Sequence, residues 1–180
     1  MQSNHSNLHQ PHSVWLCFDT RDARDCTAEI ERLSRVTSTP VFTPHVTLLG
    51  DLFGAPRETM QVCRAFASGL QLLDLEIKGL VRGETFFMSH FLDLRVPDEI
   101  CHLRDAIAKA LSISTPGVFR PHLSLAYGAT AALPEPPGRL LLNGQGGPRC
   151  LRVSSLVVAA SSSGVPIERW TVLYEMLMGK

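Results

Sequence analysis

The chain has 180 residues with 17 basic and 17 acidic side chains, so its formal net charge is zero, and 44% of its residues are hydrophobic. This composition is typical of one globular domain, and no apolar run reaches the roughly 18 residues that a membrane helix needs. The lack of a basic surplus disfavours binding along a polynucleotide and favours a small or terminal phosphate. Five widely spaced cysteines predict reduced thiols, a cytoplasmic protein and no structural zinc site.

The predicted elements begin after a polar segment, residues 1–12, which we expect to be a disordered tail without the pattern of a secretory signal. The first part of the remaining chain predicts a strand, a helix, a strand and a helix, at residues 13–18, 22–35, within 41–49, and at 56–70. In the first of these helices Cys26, Ile30 and Leu33 recur at helical spacing and predict its buried face.

The sequence pattern of the rest of the chain predicts more strands than helices. Three strands, a helix, a strand, a loop and two final strands follow, at residues 72–80, 84–88, 91–96, 97–112, 119–127, 131–148, 151–160 and 169–176. The helix is the clearest element, because Pro97 suits a first turn and the acids Asp98 and Glu99 favour the positive end of the helix dipole. The last two strands flank the turn SSSGVP and predict a hairpin.

Helices and strands that mix without strict alternation predict an α+β fold with largely antiparallel sheets. The order also repeats, since a strand, a helix and a strand containing histidine occur in each half. We therefore expect one domain over residues 13–180, with two lobes and a duplicated architecture.

Two segments share the pattern Pro-His-apolar-hydroxyl-Leu. They are residues 43–50 (TPHVTLLG) and residues 120–128 (RPHLSLAYG), and none of the other histidines has a hydroxyl residue two positions on. Side chains at i and i+2 of a strand share a face. If the two strands lie together, the four polar side chains converge on one cleft: His45, Thr47, His122 and Ser124.

Paired histidines suit the hydrolysis of a cyclic phosphodiester. Imidazole titrates near neutrality, so one ring can activate water as a base while the other protonates the leaving oxygen, each for roughly 10²–10⁴-fold in rate. The hydroxyl groups can donate hydrogen bonds to phosphate oxygens. This scheme predicts a bell-shaped pH profile centred near neutrality, and it requires neither a metal ion nor another cofactor.

The two motifs, together with SVWL at residues 13–16 and VPIERW at residues 165–170, resemble the two-histidine (2H) phosphoesterase superfamily. The resemblance is greatest to its cyclic phosphodiesterase branch, whose members act on ADP-ribose 1″,2″-cyclic phosphate. It implies antiparallel sheets backed by helices around a central cleft. It also implies metal-independent hydrolysis of a 2′,3′-type or ADP-ribose 1″,2″-cyclic phosphate to a phosphomonoester, with His122 as the base and His45 as the acid.

The resemblance further implies aromatic walls for the nucleotide, with Tyr127, Phe86 and Phe87 as candidates. Tyr127 has the opposite strand parity to the motif histidine, so it lines the cleft only if its strand bulges or ends there. Phe86 and Phe87 are adjacent and point to opposite faces of a strand, so one of them at most lines the cleft. We interpret Trp15 and Trp170 as packing residues.

Other functions remain open at this level. One is the processing of RNA ends that carry a 2′,3′-cyclic phosphate, as in the RNA-ligase-like branch of the superfamily. Another is a nucleotide-binding module without catalysis, and a third is an interaction protein, for which the sequence has no specific feature. The expected partners are a small cyclic nucleotide or an RNA end. We expect a monomer that does not contact membranes.

Overall fold

The computed structural model describes residues 10–115, 118–128 and 136–179. Within these ranges the chain forms seven strands and four helices. In chain order they are β1 (His12–Phe18), α1 (Thr20–Thr37), β2 (Val46–Leu52), α2 (Pro56–Ala67), β3 (Leu73–Arg82), β4 (His90–Arg95), α3 (Asp98–Ala110), β5 (His122–Ala126), α4 (Gly138–Leu141), β6 (Cys150–Ala160) and β7 (Thr171–Leu177).

All seven strands join one sheet in which every pairing is antiparallel. The strand order is β2-β1-β6-β3-β4-β5, and β7 pairs with β6. The long strand β6 connects two arms, because its beginning pairs with β3 and its later residues pair with β1 and β7. The sheet curls so far that its two terminal strands, β2 and β5, contact each other.

The predicted α+β class with antiparallel strands is confirmed, and so is the final hairpin, since β6 pairs with β7. Each arm of the sheet ends in one of the two motif strands, β2 in the first arm and β5 in the second. The parts of the chain predicted as two lobes contribute the two arms of a single continuous sheet. Its curl brings the most distant strands of the sheet order together.

The helices bury the faces that their sequence spacing predicts. In α1, Cys26, Ile30 and Leu33 are completely buried in the main core. The helix begins after Asp19, whose carboxylate accepts a hydrogen bond from the backbone N–H of Asp22 at 2.9 Å, as a good N-cap residue does. Burial of such apolar faces supplies the main driving force for folding.

The strand predicted over residues 84–88 is wrong. Arg82 pairs with His90 across β3 and β4, so the residues between them form the connection of a hairpin, which includes a short 3-10 helix at Phe86–Met88. The N–H of Gly83 donates to the carbonyl of Ser89 at 3.1 Å and closes this connection. A β-carbon on Gly83 would lie 2.2 Å from the carbonyl oxygen of Met88, so the tight closure requires glycine.

Residues 10–12, the end of the predicted tail, belong to the folded part of the chain. The N–H of Gln10 donates to the carbonyl of Gly54, and His12 is a buried residue of β1 whose ring bonds to the carbonyl of Gln10 and the hydroxyl of Thr59. Residues 1–9 lie outside the described residues. Within the predicted loop over residues 131–148, the described part contains the single turn α4 and a bridge between Leu142 and Pro148.

The helices that the structure describes are all too short or too polar to cross a bilayer.

Candidate active site

His45 lies directly before the first residue of β2, at the edge of the sheet. Its Nδ1 donates a hydrogen bond to the carbonyl oxygen of Thr43 at 2.7 Å. Because a carbonyl can only accept, this bond places the ring hydrogen on Nδ1 and leaves a lone pair on Nε2 in the neutral ring. The ring therefore offers Nε2 as its reactive nitrogen.

His122 repeats this arrangement in the other arm. It is the first residue of β5, and its Nδ1 donates to the carbonyl oxygen of Arg120 at 2.9 Å. In both motifs the acceptor belongs to the residue before proline, which the proline ring restricts to an extended conformation. The shared prolines, Pro44 and Pro121, thus hold the carbonyl that selects the tautomer of each histidine.

Burial dominates the electrostatics of the two rings. His45 is 4% exposed. Its burial, helped by the nearby charge of His122 and opposed by the Thr43 hydrogen bond, lowers its pKa to about 4. Burial also lowers the pKa of His122. The hydrogen bond to the Arg120 carbonyl opposes this effect, the charge of Arg120 adds to it, and Asp93 opposes it. Both rings are therefore mainly neutral at pH 7 in the free protein, and each can act as a base through Nε2.

The ring of His45 stacks on Trp15, with 3.8 Å between ring centroids and 14° between ring planes. Trp15 contacts Trp170 at 5.9 Å, and the indole N–H of Trp170 donates to the carbonyl of Val165 at 3.0 Å. Phe87 in turn stacks on Trp170, with centroids 6.2 Å apart and planes 14° apart. These rings form a continuous aromatic wall beside the histidines.

A cleft of about 300 Å³ opens between this aromatic wall and a polar wall. The described residues that line it include the rings Trp15, Phe87, Tyr127 and Trp170, and the polar or small residues Ser13, Thr47, Gly50, Asp51, Thr85, Met88, His122, Ser161, Ser162 and Ser163. A cavity with a mainly apolar wall and a few convergent polar groups is the usual form of a small-molecule site.

Tyr127 reaches the cleft because its strand is irregular. The register between β4 and β5 shifts between the pairs His90–Ala126 and Phe91–Ser124, and β5 ends at Ala126. Strand parity consequently no longer applies to Tyr127, which packs 4.3 Å from Phe42, ring centroid to ring centroid.

Phe86 and Phe87 are adjacent in the sequence, and only one of them lines the cleft. Phe87 lines the cleft, whereas Phe86 is 54% exposed and lies outside the cleft lining. Phe86 instead packs edge-on against Phe87, with centroids 4.9 Å apart. Its contribution to the site is support of the wall.

The two motif hydroxyl groups are not equivalent. Thr47 lines the cleft together with His122. Ser124 is buried, and its hydroxyl donates to the backbone carbonyl of Phe87 at 3.1 Å. Of the four predicted polar residues, Thr47 and His122 therefore line the cleft, whereas His45 lies outside the lining, buried against the lining residue Trp15. The hydroxyl hydrogen of Ser124 fixes the segment that carries Phe87.

Sequence reasoning missed the role of Trp15 and Trp170, which line the cleft in addition to packing. Trp15 has no motif in the sequence, and only the pairing of β1 with β2, in which Trp15 lies opposite Thr47, brings it to the cleft. Sequence reasoning also missed the serines at the start of the SSSGVP turn and Asp51, for which the sequence has no comparable signal.

Among the residues that the structure describes, no group of three or more His, Cys, Asp or Glu side chains is arranged to hold a metal ion.

The family model of the 2′-5′ RNA ligase superfamily matches residues 19–164. The chain therefore belongs to the 2′-5′ RNA ligase superfamily, and this match confirms the superfamily predicted from the two histidine motifs. Membership indicates an enzyme that acts on phosphoesters. The cyclic phosphodiesterase branch stays a prediction.

Solved structures show the same fold. E. coli LigT in its apo form has a TM-score of 0.63 at 16% identity, over 96% of this chain and 99% of LigT. E. coli LigT complexed with 3′-AMP has a TM-score of 0.64 at 15% identity, over the same shares. TT0787 of Thermus thermophilus has a TM-score of 0.58 at 17% identity, over 94% of this chain and 99% of that protein. Comparison with curated protein sequences gives no match.

Proposed function

We propose that the protein is a metal-independent cyclic nucleotide phosphodiesterase that hydrolyses a 2′,3′-type cyclic phosphate to a phosphomonoester, acting as a cytoplasmic monomer. The observation that carries this proposal is the paired arrangement of His45 and His122. Each ring is fixed through Nδ1 by a backbone carbonyl and keeps Nε2 for the substrate. The strand that begins directly after His45, β2, contacts the strand that begins at His122, β5.

This pair can supply both proton transfers of the reaction. The neutral imidazole takes a proton from water through Nε2 while the water oxygen forms its bond to phosphorus. The protonated imidazole gives its Nε2 proton to the ribose oxygen as the bond from phosphorus to that oxygen breaks. The bound phosphate diester is an anion, so it favours the uptake of the one proton that the pair needs.

The remaining groups of the cleft suit a nucleotide. The hydroxyl of Thr47 can donate to a non-bridging phosphate oxygen, where negative charge increases in the transition state. Trp170, Phe87 and Tyr127 offer faces and edges against which a base can stack. E. coli LigT, which shares the fold, has been crystallised with 3′-AMP and with NADP+, and this supports a nucleotide ligand here.

RNA-end processing is the second candidate, favoured by the superfamily match itself. In this alternative the same histidine pair would act on a cyclic phosphate at the end of an RNA strand. ADP-ribose 1″,2″-cyclic phosphate is a third possible form of the same ester. The chemistry at phosphorus is shared, so the substrates differ only in what lies beyond the cyclic phosphate.

The test offers the purified protein 2′,3′-cyclic mononucleotides, ADP-ribose 1″,2″-cyclic phosphate and an oligonucleotide ending in a cyclic phosphate, all in the presence of a chelator. We expect turnover of a cyclic phosphate, and a loss of about 10²-fold or more in His45→Ala and in His122→Ala. His102→Ala, on the exposed face of α3, serves as the matched control and should keep full activity.

Two outcomes would contradict the proposal. Turnover that appears only after a divalent ion is added would assign the protein to the metallohydrolases. Nucleotide binding without turnover of any of the three substrates would identify a binding module.

A further inference from the structure

The cleft is unusual in its charge for a site that takes a phosphate. Among the described residues that line it there is neither Lys nor Arg, and the one carboxylate is that of Asp51. The cyclic phosphate itself can meet His122, which lines the cleft, while His45 lies behind the lining residue Trp15. Any further phosphate of the substrate would meet hydroxyl groups, aromatic rings and the Asp51 carboxylate.

Asp51 is held in place at this cleft. Its Oδ1 accepts hydrogen bonds from the backbone N–H of Ser163 at 2.7 Å and from the hydroxyl of Ser163 at 3.1 Å. These bonds tie the end of β2 to the turn after β6. The backbone of Asp51 has a φ of 52°, in the left-handed region that few residues other than glycine adopt. Two fixed bonds and a sparsely populated backbone conformation thus define where this negative charge lies.

Arg120 is the cation closest in sequence to a motif histidine, and it does not offset the negative charge of Asp51. Arg120 lies outside the cleft lining. Its guanidinium is 3.7 Å from the carboxylate of Asp93 and 5.2 Å from the centre of the Phe91 ring. The charge of Arg120 is therefore already partnered by an acid and by an aromatic face.

We propose that Asp51 makes the cleft selective for a nucleoside whose cyclic phosphate is its only phosphate. This inference rests on the proposed function and names its substrate class. A second phosphate within the cleft would be repelled by the Asp51 carboxylate. Asp51 is exposed, so this repulsion is screened by solvent and is worth about 10-fold in affinity at most, at low salt. A nucleoside without further phosphates meets no such repulsion, and its hydroxyl or amino groups can donate to the carboxylate. The selectivity disfavours both the diphosphate of ADP-ribose and a continuing RNA chain.

The kinetic test compares adenosine 2′,3′-cyclic phosphate with the same compound carrying a 5′-phosphate. We expect the wild-type kcat/KM to be about 10-fold higher for the compound without the 5′-phosphate at low ionic strength, and the ratio to fall as salt screens the charges. Asp51→Asn should bring the ratio to within about 3-fold of unity. Asp98→Asn, the same change at an acid outside the cleft, should leave the ratio unchanged.

A binding test decides the inference without turnover. Calorimetry on the wild-type protein should show adenosine 3′-phosphate binding about 10-fold more tightly than adenosine 3′,5′-bisphosphate at low salt. Equal or tighter binding of the bisphosphate would overturn the inference, and so would a preference that persists unchanged in high salt or in folded Asp51→Asn. Failure of the proposed function is separate, because it would show as the absence of turnover with every cyclic phosphate.

Discussion

His45 lies flat against Trp15, with the two ring centroids 3.8 Å apart. Trp15 cannot move away easily, because it is 2% exposed and paired with Thr47 across β1 and β2. The indole covers one face of the imidazole, and burial is the main reason why the pKa of His45 is about 4. Trp15 is therefore a wall of the cleft that also covers one face of the ring proposed as the acid.

Replacing Trp15 by Ala should raise the pKa of His45 from about 4 toward the ordinary value near 6.5, since water would reach the exposed face of the ring. The change is measured by NMR titration of the His45 ring protons. Trp15→Phe keeps an aromatic face on the ring and should produce a smaller rise. An unchanged pKa in folded Trp15→Ala would show that the indole does not contribute to the burial effect.

The low pKa of His45 also predicts how stability depends on pH. The unfolded chain binds a proton near pH 6.5, whereas the folded ring resists it down to about pH 4. Between these values the unfolded state holds more protons, so stability is lost as the pH falls through this window. The loss from this group is about 3 kcal/mol.

Urea unfolding at a series of pH values tests this expectation. His45→Gln should lose less stability between pH 6.5 and pH 4 than the wild type does, because its side chain does not titrate. His102→Gln, on the exposed face of α3, should follow the wild-type curve. Parallel curves for the wild type and His45→Gln would contradict the buried neutral histidine.

Loss of the Thr47 hydroxyl should mainly lower activity, and loss of the Ser124 hydroxyl should mainly lower stability. Thr47→Val keeps the shape of a residue that lines the cleft but removes its donor, so kcat/KM should fall about 10-fold while stability changes little. Ser124→Ala removes the bond to the carbonyl of Phe87, so it should lower the free energy of unfolding by about 1 kcal/mol. Its kcat/KM should fall less than that of Thr47→Val. A larger activity loss in Ser124→Ala would mean that its hydroxyl turns to the phosphate when substrate binds.

Much of this site could be predicted because strand parity is local. The i, i+2 spacing of His45 and Thr47 at the start of β2 predicts that both face one side, and repetition of the motif predicts His122 as the partner of His45. The aromatic wall was harder to predict, because Trp15 belongs to a strand without a motif and reaches the histidine only through the pairing of β1 with β2. Tyr127 depends on a register shift that alternation cannot reveal.

The limits of the fold prediction have a similar cause. Residues 84–88 have the composition of a strand, yet the pairing of Arg82 with His90 leaves them in a hairpin connection. The division of labour between Thr47 and Ser124 is also a matter of tertiary contact, since Ser124 meets the carbonyl of Phe87 from another segment. Local sequence treats the two hydroxyl residues alike.

The pH dependence of catalysis should differ from that of two ordinary histidines. Burial lowers the pKa of His45 to about 4 and moves the pKa of His122 below its usual value of 6.5. One ring must be protonated and the other neutral, so kcat/KM should be bell-shaped with its maximum on the acid side of pH 6.5, below the neutral centre that unperturbed rings predict. Steady-state kinetics across the acid and neutral range measures this, and a maximum on the alkaline side of neutrality would contradict it.

The last prediction concerns which ring is the acid. The resemblance implies that His45 protonates the leaving oxygen and that His122 activates water. Burial agrees with these roles in two respects. A ring whose pKa is about 4 is a strong acid once it is charged, and the half-buried His122 lines the cleft that water enters. The order of protonation in the free protein is opposed to them, because burial lowers the pKa of His45 to about 4, whereas the lowering of the His122 pKa by burial is partly offset by its hydrogen bond to the Arg120 carbonyl and by Asp93.

A substrate with a better leaving group separates the two roles. A phosphodiester that releases a nitrophenolate needs little protonation of its leaving oxygen, but it still needs an activated water. On this substrate His45→Ala should recover most of the rate that it loses on a ribose ester, whereas His122→Ala should stay about 10²-fold or more below the wild type. His102→Ala should match the wild type on both substrates. Recovery in His122→Ala instead would exchange the roles, and full activity of both variants on the ribose ester would refute the site.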